Sequence, residues 1–525
     1  MDKKHIELIL HPMGEQEKEI QEKIICDTYE GPVNVEWDKQ APVTPLGQLI
    51  FFIQFLKTCD LFSKWIDECP LKYKSPNAPK TIDVLGTILL SILSGHKRYA
   101  HITSIRYDAV NPALLGMNKV LSEDSIRRAF RNINFEKCKK WQIDNLEYCY
   151  NPLLNEKWIL DIDTTVKVLY GNQEGAEIGY NPEKPGRPAH IIHTYMMAET
   201  KLIIDAEVLP GKQNASSYSL PGLNEILDNL PIEKRPDLIR GDCAFGNEKF
   251  LFNLEERRIN YLFKIKHTKK VKDLIYLLER KNDQWTDAGQ GWEGMQGELK
   301  LMGWSKSRKI IIIRKPVRGK KQKGRKPKVL QFLLPFFGME KDILGYKYSV
   351  LVTSLEGETI SLVQLYRNRA TCENNFDELK NQWGWAGFVT KDLNRSRIMV
   401  RMIAQIYNWW SLFVRWIDHE KHTEAITSRP LLLYGVAKKI KHANQIKLKI
   451  TSMHGKQESI SNKISLIINF LNRIKYYTQQ FSKKEIWRRV LSAIFVKFLK
   501  GRLLKDENNF CNYSLQYQIP KINSS

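Results

Sequence analysis

Apolar and β-branched residues cluster in short runs through the middle of the chain, and amphipathic segments separate them. The first three runs follow one another closely, which predicts consecutive antiparallel strands. Two further short runs alternate with helical periodicity. The strands are predicted at 157–170, 189–199, 201–209, 238–240 and 260–266, and the helices at 218–230 and 247–259. This alternation predicts an α/β core over 151–265.

A second β-rich region interrupts this core. Residues 284–352 contain the runs KIIIIRKPV, KVLQFLLPFF and YKYSVLVTS, all rich in strand formers. A simple connection would need far fewer residues than this segment has. We therefore predict an inserted β-rich subdomain at 266–352, after which the core resumes at 353–392.

The flanks show helical periodicity, so the fold class expected is α+β with several domains. The pattern predicts a helical N-terminal region at 1–150 and a basic helical C-terminal region at 393–525. Within the first, 80–133 resembles a helix-turn-helix, because two helical stretches precede a short basic helix that Ser122 caps. Its candidate DNA contacts are Arg127, Arg128 and Arg131. Dimer contacts or plain core packing would explain the same pattern.

Acidic residues interrupt two of the predicted core strands. Asp161 and Asp163 share one face of the first strand, and Asp242 follows Gly241 where a later strand gives way to a helix. A carboxylate in a core strand is costly unless a cation neutralises it. Each aspartate alone has a simpler explanation, namely a strand cap, a pair with Lys167, or a Gly-Asp turn.

A third acidic residue belongs to a helical segment with an unusual polar face. Tyr366, Arg369, Glu373 and Lys380 fall within about 60° of one another if 366–380 forms one helix. A solvated amphipathic helix would also account for this spacing. Taken together with Asp163 and Asp242, Glu373 predicts a carboxylate cage that binds two Mg²⁺ ions. Arg369 and Lys380 could hold phosphodiester oxygens, with Tyr366 beside them.

These motifs resemble those of bacterial insertion-sequence DDE transposases with a Tyr-x2-Arg-x3-Glu-x6-Lys signature. The resemblance rests on Tyr366, Arg369, Glu373 and Lys380, on Asp163-Thr164-Thr165, and on Gly241-Asp242. It implies an RNase H-like core and metal-dependent cleavage and transfer of DNA strands. The implied cofactor is a pair of Mg²⁺ ions, for which Mn²⁺ should substitute. The implied partners are terminal inverted repeats, target DNA and a second copy of the chain. An RNase H-like nuclease and a catalytically silent DNA-binding relative remain alternatives.

Charge points the same way. The chain carries 82 Lys and Arg against 58 Asp and Glu, a formal charge of +24, which favours a polyanionic partner. A basic cluster without acids lies in the predicted insertion, where it would contact phosphates or merely aid solubility. Its members are Arg318, Lys320, Lys321, Lys323, Arg325 and Lys326. Neither a signal peptide nor a run of 18 apolar residues is found, so a bacterial cytoplasmic, nucleoid-associated protein without membrane contact is expected.

Overall fold

A computed structural model describes most of the chain. The described residues are 24–35, 42–73, 75–131, 133–182, 184–213, 215–281, 285–316, 346–419, 422–442, 445–451, 454–476 and 481–505. The predicted basic cluster at 318–326 and the run KVLQFLLPFF lie outside them.

Strands and helices are numbered in chain order. The strands are β1 (Ile24–Thr28), β2 (Gly31–Val35), β3 (Val43–Thr44), β4 (Ile159–Val168), β5 (Glu177–Ile178), β6 (Pro188–Met197), β7 (Ile203–Pro210), β8 (Leu238–Gly241), β9 (Asn260–Lys264), β10 (Thr286–Asp287), β11 (Glu293–Leu299), β12 (Arg308–Pro316), β13 (Tyr346–Thr353), β14 (Val436–His442) and β15 (Gln445–Thr451). The helices are α1 (Leu49–Thr58), α2 (Leu61–Asp67), α3 (Thr81–Leu93), α4 (Asn111–Leu114), α5 (Glu123–Ala129), α6 (Phe135–Tyr150), α7 (Ala215–Asn229), α8 (Glu248–Glu256), α9 (Lys269–Lys281), α10 (Thr359–Arg367), α11 (Ala370–Gln382), α12 (Leu393–Ile417), α13 (Ala425–Leu432), α14 (Gln457–Tyr476) and α15 (Lys483–Ile494).

The described residues form one large mixed sheet at the centre of the molecule. Its order is β10-β11-β12-β13-β9-β8-β4-β6-β5, and β7 also pairs with β6. β4, β6 and β7 are antiparallel, whereas β8 and β9 run parallel to β4. Parallel neighbours need crossover connections, which α7 and α8 provide. The expected mixture of helices and a mixed sheet is thereby confirmed.

Strands of the predicted insertion extend this same sheet. β13 pairs antiparallel with β9, with Val352 opposite Phe263, and β12, β11 and β10 follow outward. β12 is buried because its four consecutive isoleucines pack on both faces of the sheet. In this arrangement 285–316 and 346–353 continue the core sheet, and the predicted domain boundaries remain predictions.

Helix α12 runs buried against the free edge of β7, as the apolar run after Lys380 predicted. Asn408 makes two bonds with the backbone of Ile203: its Oδ1 accepts from the amide at 2.8 Å, and its Nδ2 donates to the carbonyl at 2.9 Å. Arg401 on the same helix donates from Nε and Nη2 to the two carboxylate oxygens of Asp205 in β7, at 2.7 and 3.1 Å. This helix therefore satisfies polar groups at an edge that would otherwise be exposed.

The prediction that both flanks are helical was wrong in part. β1 and β2 form a hairpin. β14 pairs with β3 on one side and with β15 on the other, in a three-stranded sheet that joins the two flanks. The sheet forms because Gly47 and Gly435 let the backbones approach, with the Gly47 amide 2.7 Å from the Gly435 carbonyl. A Cβ on Gly47 would lie 2.6 Å from that carbonyl oxygen. Among the described residues, no helix is long and apolar enough to cross a bilayer.

Candidate active site

Two aspartates lie side by side where β8 ends beside the middle of β4. The parallel register pairs Asp161 with Arg240, and the same register continued by two residues places Asp163 beside Asp242. Neighbouring strands are about 4.8 Å apart, so the two carboxylates belong to one small region of the sheet. Both side chains are partly exposed, and Asp242 follows the carboxyl end of β8, the strand end at which α/β sheets commonly carry ligands.

The turn after β8 fixes the position of Asp242. Its Oδ1 accepts from the amide of Ala244 at 2.9 Å, which closes a tight turn before α8. A Cβ on Gly241 would lie 2.7 Å from the ring of Phe245 and 3.0 Å from Ile162. Glycine is therefore required at 241 because the turn packs closely against the neighbouring strand.

Helix α11 begins directly beside Asp163. Arg369, the residue before its first turn, donates from Nη2 to Oδ2 of Asp163 at 2.9 Å. The guanidinium is 3% exposed and the aspartate 20% exposed, so the ion pair joins the interior to the surface. Glu373 follows Arg369 by four residues, one helical turn, within α11. The ion pair thus links the start of α11 to Asp163, while the side chain of Glu373 is outside the described residues.

Two of the signature residues are placed differently from the prediction. The single helix predicted over 366–380 is divided: α10 ends at Arg367 and α11 begins at Ala370. The amide of Arg369 bonds to the Tyr366 carbonyl three residues back, which tightens the turn. Tyr366 therefore packs against a small apolar cluster under α10. Arg369 is buried against Asp163, and its predicted phosphate contact stays a prediction.

The far side of α11 is held by a buried carboxylate. Glu378 accepts from Trp383 Nε1 and from the amide of Ala425, both at 2.9 Å, and contacts His422 Nε2 at 2.6 Å. It lies about 180° around the helix from Arg369. Lys380 is half-buried and lies about 20° from Glu373. α11 therefore directs one face to the aspartates and anchors the other to the start of α13.

Sequence reasoning missed the partner of Asp161. Arg240 donates to Asp161 from Nε and Nη2 at 2.7 and 2.8 Å, and from Nη1 to the carbonyl of Leu365. Both side chains are fully buried. Asp161 therefore has a structural role in the sheet, because its buried carboxylate pairs with Arg240. Asp161 precedes Asp163 by two residues, and Arg240 precedes Asp242 by two residues. The signal in the sequence for this pair is the shared spacing of Asp161-x-Asp163 and Arg240-x-Asp242.

Lys167, considered as a partner for the aspartates, points elsewhere. Its Nζ donates to the carbonyl of Gly387, in the loop after α11. Burial lowers the pKa of Lys167 to about 7. This lysine ties β4 to that loop, four residues beyond Asp163.

The predicted N-terminal DNA contacts lie on the short helix α5 and just after it. Ser122 caps α5 as predicted, accepting from the Ser125 amide. Arg127 is 3.5 Å from Asp124, and Arg128 Nε donates to the carbonyl of Asp124 at 3.1 Å. Arg131 is exposed. α3, predicted as part of the same motif, is buried over almost its whole length, so a DNA-recognition role for 80–133 remains a prediction.

The donor set at the middle of β4 and the end of β8 suits a hard divalent cation. Asp163 and Asp242 offer carboxylate oxygens at one level of the sheet, which is the ligand type that Mg²⁺ prefers. One oxygen of each accepts a backbone amide, which fixes the carboxylate orientation. Among the side chains that the structure describes, no group of three His, Cys, Asp or Glu could hold a metal. Glu373 stays a predicted third ligand.

Comparison with known proteins finds a similarity over the middle of the chain. Residues 154–409 match the family model described as "Transposase DDE domain", a segment that includes Asp163, Asp242 and Glu373. A comparison with curated proteins finds no match. The cryo-EM structure of a piggyBac transposase synaptic complex with hairpin DNA is similar over 87% of this chain and 88% of that chain, with 13% identity and a TM-score of 0.38.

Proposed function

We propose that this chain is a metal-dependent transposase of the insertion-sequence type, which cuts DNA at terminal inverted repeats and transfers the strand ends. The observation that carries the proposal is the register of β4 and β8, because it sets Asp163 beside Asp242 within the segment that matches the DDE domain. An RNase H-like core is part of the proposal. Its support is the antiparallel start β4-β6-β7 followed by the parallel strands β8 and β9.

Asp163, Asp242 and Glu373 would hold two Mg²⁺ ions. When bound, the metal would supply activation of the attacking hydroxyl and stabilisation of the leaving oxygen. Mn²⁺, also an oxygen-seeking cation, should substitute.

The chain's own residues orient this site. Arg369 holds Asp163 in place and balances its charge, so we assign it a positioning role in place of direct phosphate binding. Lys380, close to Glu373 around the helix, would hold a phosphate of the DNA. Tyr366 would contribute indirectly, because it packs under α10.

The remaining partners belong to the same proposal. A second copy of the chain would pair two transposon ends, and target DNA would join afterwards. The formal charge of +24 supports a polyanionic partner. The protein would be located in the bacterial cytoplasm and associate with the nucleoid, where its DNA substrate lies.

Strand cleavage by carboxylate variants tests the proposal. The substrate is a plasmid-borne element bounded by the inverted repeats that flank the coding region, with Mg²⁺ present. Asp163→Asn, Asp242→Asn and Glu373→Gln should each reduce the cleavage rate at least a thousandfold, equivalent to about 4 kcal/mol of transition-state stabilisation. Binding to the same DNA should stay within a few-fold, because the ligands contribute little to phosphate contacts.

Asp377→Asn provides the matched control. Asp377 is exposed on α11, four residues from Glu373, and its carboxylate bonds to Asn381. This variant should cleave at the wild-type rate. Near-normal cleavage by the variant at 163 or 242 would overturn the assignment of the ligands. Equal cleavage of DNA without the repeats would favour the nuclease alternative, and binding without cleavage by the wild type would favour the silent relative.

A further inference from the structure

We propose that the ribbon formed by β14 and β15 is a separate duplex-DNA-binding element, outside the carboxylate site. The proposal rests on the proposed function for the identity of the polyanion. The ribbon is defined here as the strand residues 436–441 and 445–451. It was not among the DNA contacts predicted from sequence, because this region was expected to be helical.

The ribbon is strongly cationic. Its two strands contain five lysines and no acidic residue. The lysines are Lys438, Lys439, Lys441, Lys447 and Lys449. The register sets Lys438 directly opposite Lys449, and like charges in that relation destabilise a sheet. The stability of the ribbon therefore does not explain this composition. Protection of an edge strand against pairing with another chain does not explain it either, because one or two lysines would suffice for that.

The lysines are distributed over both faces of the ribbon. Because side chains alternate, Lys438, Lys447 and Lys449 occupy one face, whereas Lys439 and Lys441 occupy the other. The members at 441, 447 and 449 are exposed. Cations on both faces can reach the phosphates on the two sides of a DNA groove. A flat anionic membrane would meet only one face at a time.

The ribbon extends beyond the sheet that anchors it. β3 pairs with β14 only at Ala437 and Lys438, so the part from Ile440 outward is two strands wide among the described residues. A two-stranded ribbon is one of the elements that the major groove of B-DNA, about 12 Å wide, admits. Its base is fixed, because Gln48 Nε2 donates to the carbonyls of Leu431 and Tyr434.

Salt-dependent binding to a 30-base-pair duplex of arbitrary sequence tests this proposal. Two double variants, Lys447→Gln/Lys449→Gln and Lys439→Gln/Lys441→Gln, each remove two charges from one face. Loss of two phosphate contacts should reduce the slope of log K against log salt by about 1.8. At 0.1 M salt, Kd should rise more than tenfold for each double variant.

The matched control removes two lysines that already face carboxylates. Lys140 is 3.1 Å from Asp144, and Lys309 is 2.9 Å from Glu356. Lys140→Gln/Lys309→Gln should keep the wild-type slope. Melting temperatures of the ribbon variants should be no lower than that of the wild type, since the changes remove like charges from the ribbon.

Three outcomes would overturn the proposal: wild-type slopes in both ribbon variants, an equal change in the control, or loss of binding to anionic vesicles with unchanged duplex binding. The result is independent of cleavage, because Asp163→Asn should bind the duplex normally. Reduced duplex binding by the ribbon variants together with no wild-type cleavage would refute the proposed reaction and leave the ribbon assignment standing.

Discussion

At the scale of single residues, Asp161 and Asp163 on β4 have different surroundings and therefore different roles. Asp163 is partly exposed and faces Arg369, while Asp161 is buried and faces Arg240. The sequence supports both as carboxylates on one strand face, and family resemblance favoured Asp163. Sequence alone could not assign a partner to Asp161, because that partner is 79 residues away and depends on the register between β4 and β8.

Removing Asp161 should destabilise the fold. In Asp161→Ala the guanidinium of Arg240 stays buried without its carboxylate, which costs about 3–5 kcal/mol. The free energy of unfolding in urea measures this loss. The double variant Asp161→Leu/Arg240→Met should regain most of it, because apolar residues avoid the buried charge. A single variant with wild-type stability would contradict the structural role.

At the scale of elements, most strands and helices of the core follow from apolar patterning. β4, β6, β7, β8 and β9 lie within a few residues of their predicted bounds. The division between α10 and α11 could not be predicted from the sequence, since every residue from 366 to 380 is compatible with a helix. A tertiary contact made the difference, because Arg369 turns inward to Asp163. The β14–β15 ribbon was missed because lysine-rich segments carry little strand signal.

Helix α11 should depend on its far-side anchor. In Glu378→Ala, the indole of Trp383 and the amide of Ala425 lose their charged acceptor. Bonds to charged groups contribute about 1.5–3 kcal/mol each, so unfolding free energy should fall by about 3 kcal/mol or more. Glu378→Gln should lose less, because its amide oxygen still accepts.

The cleavage rate provides a second measurement on these variants. Glu378→Ala should cleave more slowly than the wild type even at temperatures where it is fully folded, because α11 carries Glu373, and Glu378→Gln should lose less of the rate. Full cleavage activity in folded Glu378→Ala would show that the anchor does not position the helix.

At the scale of the whole molecule, the flanks share one core with the sheet. The ring of Phe52 in α1 lies 5.2 Å from Trp410 and 5.4 Å from Phe413 in α12. Gln142 in α6 donates to the carbonyl of Ile398 at 2.8 Å. Sequence patterning predicted these helices but not their mutual packing, since contacts over more than 250 residues leave no local signal.

The N-terminal region should therefore not fold by itself. A fragment of residues 1–150 would expose the faces of α1 and α6 that α12 covers, and its own burial would not offset the entropy of ordering the chain. Circular dichroism should show no cooperative thermal transition for it, whereas residues 42–505 should melt cooperatively. A sharp transition in the short fragment would indicate an autonomous domain.

The pairing of Asp161 with Arg240 also bears on how faithfully the chain folds. If β8 slipped by one residue against β4, every side chain on it would turn to the opposite face. Arg240 would leave the interior, and Asp161 would remain there as a lone charge. A chain misaligned in this way would be less stable than the native fold. The buried ion pair between Asp161 and Arg240 therefore favours the register that aligns Asp163 with Asp242.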